Sequence, residues 1–419
     1  MSPTNNLANQ GAAPVTSRDM KLAQQGFALA YAMNHNVFLW GDPRTGKTHT
    51  VERIGRERGV PVATTILSQT EMTDLDGFPL RVDASEEELN DPAGKAAWSP
   101  IPGMRGRYVS LVRLPPAAAT TMLNAKEGVW LFDEMNVAEE SKMATAMNIM
   151  SARRVAGRDL PPGIRLVAAG NPSESNRAVN DLPAAVAARF IHIEWPNRAA
   201  LAEIFKVERE EPLPAWTLDE GWLESSEVKL AGLEIFEFLQ LNPELEHKLD
   251  PDEVSYRGWP NIGQWLRVRD IMGASKLLGV PMETSLRLIG GCVGTPAAEA
   301  LYSFRESATI PSPEQIIRNP YLLREMGTAN SARVMRAASA LVIAVTKEPT
   351  AERYFAARTA INDWLAIPGA PKDAMAVPLT DLLRCTPTSA PGAMELDSVP
   401  AIKAFAADMV ASRQALEFN

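Results

Sequence analysis

The amino-acid sequence predicts an α/β fold, a parallel sheet flanked by helices, with a helical region behind it. Three observations predict it. The apolar runs Val37–Trp40, Val129–Phe132 and Ile164–Ala169, the last carrying Arg165 alone as a polar residue, have the length and composition of strands buried on both faces, and Ile191–Trp195 reads as a further strand. The first three of these runs end in polar or glycine-rich segments, and open α/β sheets place their binding groups at such C-terminal strand tips. After Asn197 the strand signals vanish and helical periodicity takes over.

Each element follows in order. Residues 1–17, rich in Asn, Pro and small side chains, read as a flexible N-terminus. Arg18–His35 carries Met20, Leu22, Ala23, Phe27, Ala30 and Tyr31 at helical spacing and is expected to pack beside the sheet. The run Val37–Trp40 then feeds Gly41-Asp42-Pro43-Arg44-Thr45-Gly46-Lys47-Thr48, which fills the pattern G-x-x-x-x-G-K-[ST]. Between a strand and a helix, that pattern is a phosphate-binding loop. Gly41 and Gly46 lack a Cβ, so backbone N–H groups can converge on an anion. Lys47 is then the cation for the β and γ phosphates, and Thr48 offers a hydroxyl to Mg²⁺. The segment Thr48–Arg58 reads as a helix whose positive end faces the phosphates. The run Val129–Asn136 delivers Asp133 to a strand tip, where it can hold Mg²⁺ directly or through water, and Glu134 follows as an acid able to orient or deprotonate an attacking water. Ile164–Pro172 brings Asn171 to its own tip, to hold that water or sense the γ-phosphate. Leu182–Phe190 reads as a helix ending at Arg189, just before the strand Ile191–Trp195.

The four motifs GDPRTGKT, LFDEMN, AAGNP and AARF, in that order, resemble the AAA+ ATPase superfamily and within it the MoxR branch, from about Ala23 to Trp195. Met72–Pro79 resembles the branch's acidic-glycine stretch, and Arg153–Pro162 the hairpin before its sensor strand. The resemblance implies an ATP- and Mg²⁺-dependent ATPase that forms a ring, usually a hexamer, with nucleotide held between subunits. It also implies that Asn171 is sensor 1 and Arg189 an arginine finger offered to a neighbour's γ-phosphate. Arg257, in Ser255-Tyr256-Arg257, is the counterpart of sensor 2. The chain departs from the family at Ala188, where an Asp commonly precedes the finger, and at Tyr256, where a proline is usual. Arg177 is therefore a reserve finger, and a structural ion pair is the competing role for Arg257.

At 419 residues the chain exceeds one typical domain. The expected division is a flexible 1–17, an AAA+ α/β nucleotide-binding domain over 18–196, an α-helical lid over 197–330 and a helical C-terminal extension over 331–419. The acidic, Trp-bearing stretch Glu211–Glu253 is given no role beyond surface packing. No apolar run reaches the eighteen or so residues of a membrane helix, and Met1–Ser17 lacks the pattern of a signal peptide, so a cytoplasmic protein is expected. Cys292 and Cys385 are too few and too scattered for a disulfide framework or zinc site, and the four histidines show no ligand spacing.

The net charge of −9 and pI of about 5.2 disfavour general nucleic-acid binding, because phosphate neutralisation by Lys and Arg dominates such affinity. Arg105 and Arg107, in a long insertion, are the candidates for a basic pore, with a plain solvated hairpin as the alternative. The resemblance implies a chaperone-like remodeller of a separate partner protein with a von Willebrand factor A domain. A nucleic-acid motor and the ATPase subunit of a metal-chelatase are the alternatives.

Overall fold

The computed structural model describes residues 17–83, 99–100, 108–172, 182–196, 212–249, 257–307, 310–385 and 399–417. The chain forms two compact units. The first comprises Met1–Leu218, Leu249–Trp259 and Val280–Thr295, and the second Asp219–Lys248, Pro260–Gly279 and Pro296–Asn419.

The first unit is built on five strands, β1 (Val37–Trp40), β2 (Val62–Ile66), β3 (Glu127–Asp133), β4 (Gly163–Gly170) and β5 (Ile191–Glu194). Their order in the sheet is β5-β1-β4-β3-β2 and every pairing is parallel, so all five C-terminal tips point to one edge. The register sets Trp40 opposite Glu194 and Gly170, and Asp133 opposite Ile66. The expected apolar runs are central because both faces are covered: Val37, Phe38, Leu39 and Trp40 are all buried, as are Val129 to Phe132. Phe38 stacks on Trp40 at 4.3 Å and meets the edge of Phe190 at 5.4 Å, and the indole of Trp130 satisfies its N–H on Thr65 Oγ1 at 2.9 Å.

Helices flank this sheet. The α1 helix (Ser17–Met33) buries Phe27, Ala28, Leu29 and Ala30, and α2 (Lys47–Arg58) starts directly from the glycine-bearing loop. Its N-cap is Gly46 at φ 93, a left-handed conformation that glycine adopts without strain. The α3 helix (Glu140–Ala152) buries Met143, Ala146, Met147, Ile149 and Met150, and the hairpin expected over Arg153–Pro162 follows it, pairing Arg154–Val155 with Arg158–Asp159. A three-stranded antiparallel sheet, with Phe78–Asp83 and Ser99–Pro100 on either side of Tyr108–Leu114, comes between β2 and β3 in the chain. The insertion residues Arg105 and Arg107 lie outside the described residues, as does Arg177.

Two expectations about segments need correction. Leu182–Phe190 is not a continuous helix but a single turn, Ala184–Ala187, with Pro183 at its N-cap and Phe190 turning into the core at the entrance to β5. The helix α4 (Met282–Val293), expected within the lid, is part of the α/β unit: Gly291 lies so close to β5 that a Cβ there would meet the His192 carbonyl oxygen at 1.9 Å, and Leu288 reaches Gly26 of α1. The physical reason is that β5 is an edge strand, and a covering helix protects it.

The second unit is helical among its described residues, with long helices at Ser226–Leu241, Ile262–Leu278, Thr295–Ser307, Ser331–Lys347, Ala351–Leu365 and Pro400–Glu417. Their starts are written locally. Ser225, Asn261, Asn330 and Thr350 each accept a hydrogen bond from the backbone N–H three residues on, and Ser312 with Gln315 forms a capping box. The division expected at residue 330 does not coincide with a break in packing. Ile316 and Leu323 share one core with Val334, Leu341, Tyr354, Trp364, Ile402 and Phe405, so the last helix buries its apolar face in the same cluster.

Candidate active site

The loop Gly41–Thr48 leaves the tip of β1 and enters α2, and several elements fix it from outside. The N–H of Gly41 reaches the Gly170 carbonyl at the tip of β4 (3.3 Å), and Trp195, just beyond β5, donates its indole N–H to the Thr45 carbonyl (3.2 Å). Thr45 Oγ1 closes the loop on the Asp42 carbonyl at 2.8 Å.

Lys47 is buried in this frame. Its Nζ donates to the Gly41 carbonyl (2.5 Å) and the Asp42 carbonyl (2.9 Å), with Asn171 Oδ1 at 3.4 Å. Burial lowers the Lys47 pKa below its ordinary value, while the carboxylates of Asp133, Asp42 and Glu134 act in the opposite sense. A cation withdrawn from water and satisfied only by carbonyl oxygens has charge to offer to a phosphate.

Thr48 Oγ1 donates to Asp133 Oδ2 at 2.8 Å, so the hydroxyl at the start of α2 and the carboxylate at the tip of β3 meet as the sequence pairs them. Two adjacent hard oxygen donors suit Mg²⁺, which keeps several waters and completes its shell with substrate phosphate. Among the described residues no group of three or more His, Cys, Asp or Glu side chains is placed to hold a metal ion.

Glu134 sits at φ 55, a left-handed conformation unusual for a residue with a Cβ. Its N–H is held by Asp133 Oδ1 at 2.8 Å, and Ser68 Oγ, beyond the end of β2, donates to its Oε2. The chain then crosses the tip of β4. Met135 N–H reaches the Ala169 carbonyl (2.9 Å), and the buried Asn136 pairs reciprocally with the backbone of Asn171. Asn136 Nδ2 donates to the Asn171 carbonyl at 2.8 Å while its Oδ1 accepts from the Asn171 N–H at 3.1 Å. Gly170 is needed here, since a Cβ would stand 2.4 Å from Asn136 Oδ1. One side chain thus extends the β3–β4 ladder past its last backbone bond and fixes Asn171 at the tip of β4.

The two candidate arginines are placed differently. Arg257 reaches the loop edge of the sheet: Nη1 donates to Glu194 Oε1 at 2.7 Å and the guanidinium lies 5.2 Å over the Trp40 ring. Both partners are the last residues of their strands. The Glu194 side chain is 60% exposed, so this pair can exchange for another anion at small cost. Arg189 is exposed in the turn before β5 and so stands at the opposite edge of the sheet from Lys47.

Ser68, Trp195 and His192 carry no sequence motif, and Asn136 closes LFDEMN without a role that the motif assigns to it. His192 is buried with Nδ1 accepting from Trp40 Nε1 (2.8 Å), and since an indole only donates, the ring proton sits on Nε2 and is given to the Ala187 carbonyl (2.9 Å). Trp40 precedes the phosphate loop and Ala187 precedes the turn carrying Arg189. Their partners lie far along the chain, and no local spacing announces them.

Comparison with known proteins returns solved structures of remote similarity. A presumed ATPase of Cytophaga hutchinsonii aligns over 70% of this chain and 93% of its own at 13% identity and a TM-score of 0.40. A full-length MCM homologue of Methanopyrus kandleri aligns over 69% of this chain and 55% of its own, at 18% identity and a TM-score of 0.32. NtrX of Brucella abortus, solved in complex with ATP, aligns over 88% of this chain and 69% of its own, at 13% identity and a TM-score of 0.28. No protein-family model matches the chain, and no curated protein matches it.

Proposed function

We propose that this chain is a MoxR-like AAA+ ATPase, a ring-forming motor of hexameric type that hydrolyses ATP to remodel a partner protein. The observation that carries the reading is the convergence of Lys47, Thr48, Asp133, Glu134 and Asn171 around one phosphate loop at the tips of β1, β3 and β4. In this reading Lys47 turns from the loop carbonyls to the β and γ phosphates. Thr48 and Asp133 would hold Mg²⁺, which would neutralise charge on the phosphates. Glu134 takes a proton from a water as that water's oxygen bonds to the γ phosphorus and the bond to the β–γ bridging oxygen breaks, releasing ADP and phosphate. Asn171, fixed by Asn136, steadies the water or the γ-phosphate. Arg189 reaches the site of a neighbouring subunit, which its position across the sheet from its own Lys47 favours. Arg257 leaves Glu194 for the nucleotide as sensor 2.

The von Willebrand factor A partner rests on the resemblance of the motifs alone. Among the described residues no helix is long and apolar enough to cross a membrane. The acidic net charge gives no support to a nucleic-acid motor. The test of the ATPase reading is Glu134→Gln, which keeps the phosphate loop and removes the base. It should bind ATP as the wild type does and lose turnover by about a hundredfold or more. Turnover within a few fold of wild type would remove Glu134 from the mechanism.

A further inference from the structure

The phosphate loop carries two cations, and the loop itself engages only one. Lys47 is buried and donates to the Gly41 and Asp42 carbonyls. Arg44, in the same loop, is exposed, and among the described residues its side chain has no hydrogen-bond, ion-pair or ring partner. Its backbone nevertheless sits at φ 65, the left-handed region that favours glycine.

Other side-chain-bearing residues in that region are held there by visible bonds. Arg153, at φ 51, donates to the carbonyls of Pro161, Pro162 and Ile164, and Glu134 is held by Ser68 and Asp133. Among the described residues Arg44 has no such hold at its left-handed backbone. A long cation kept at the rim of an anion cradle, on a backbone where glycine would be easier, points to an anion it meets when the cradle is filled.

We propose that Arg44 is a second binding cation for the nucleotide's polyphosphate, gripping it from the solvent side while Lys47 holds it from within. This inference rests on the phosphate-site reading above and adds a ligand-binding role for one side chain. A guanidinium suits the task because its planar fork donates paired hydrogen bonds to phosphate oxygens. The benefit grows with phosphate number, so di- and triphosphates gain and a monophosphate gains little.

The test uses the full chain with Arg44→Gly, which removes the charge and the strain together, and titrates ATP, ADP and AMP against a fluorescent ATP analogue. The urea midpoint of the nucleotide-free variant should be unchanged or raised. Affinity for ATP and ADP should fall about tenfold, with AMP unaffected, and the deficit should narrow in high salt. Arg44→Lys should keep part of the affinity. ATP binding within about twofold of wild type would overturn the inference. So would a lowered urea midpoint with equal losses for all three nucleotides, which would make Arg44 structural. Unchanged binding with lost turnover would place the side chain on a neighbouring subunit and also overturn it. Lys47→Ala separates this failure from that of the site. If Lys47→Ala loses affinity and Arg44→Gly does not, only this inference falls; if wild type and Lys47→Ala bind ATP equally poorly, the phosphate-site reading falls and takes this one with it.

Discussion

At the scale of the residue, the arrangement turns on how Asn136 couples two catalytic candidates. Removing it leaves the Asn171 N–H without its acceptor and frees the loop that carries Glu134. Asn136→Ala should therefore lower turnover about tenfold or more while ATP affinity stays within a few fold, because positioning of the water depends on both residues and phosphate binding does not. In a double-mutant cycle with Asn171→Ala, the combined loss in turnover should be smaller than the sum of the two single losses. Additive losses would show that Asn136 acts on something other than Asn171. Lys47, Thr48, Asp133 and Glu134 were legible in the sequence because each chemical role is tied to a local pattern between a strand and a helix. Asn136, Ser68 and Trp195 were not, since their partners stand 35, 66 and 150 residues away and only the folded sheet brings them together.

At the scale of the element, β1, β3 and β4 were readable because burial on both faces demands apolar runs, whereas β2, Val62–Ile66, alternates with solvent and carried no such run; the helices from Ser331 and Ala351 start at the caps Asn330 and Thr350. The placement of α4 was not readable. Its amphipathic face, with Leu288, Ile289, Cys292 and Val293 buried, fits a lid or a sheet equally well, and the choice is made by Gly291 allowing contact with β5. Gly291→Ala should lower stability by about 1–3 kcal/mol, since the new Cβ meets backbone that cannot turn aside. Urea unfolding followed by tryptophan fluorescence checks this, as Trp40 is hydrogen-bonded to the affected His192. An unchanged midpoint would mean that α4 does not pack on β5 as described. The single turn Ala184–Ala187 was over-read as a longer helix because alanines suit a helix anywhere, while Pro183 and the inward turn of Phe190 limit it.

At the scale of the whole molecule, the two compact units interleave along the chain, which no composition shift near residue 330 could announce. Residues 280–295 return to the sheet after the chain has entered the helical unit, because the edge strand β5 needs cover. In the proposed function hydrolysis is shared between subunits, with Lys47 and Arg189, which stand at opposite edges of one sheet, acting in different sites. The most direct measurement mixes Arg189→Ala protein with Lys47→Ala protein and follows ATP turnover. Each variant alone should be inactive, since a finger in trans contributes about a thousandfold or more. In mixed rings an intact Lys47 site stands beside a subunit supplying an intact Arg189, so activity should return in part. No recovery, with mixed assemblies shown by size measurement, would contradict the shared site and leave Arg189 acting within its own subunit or not at all.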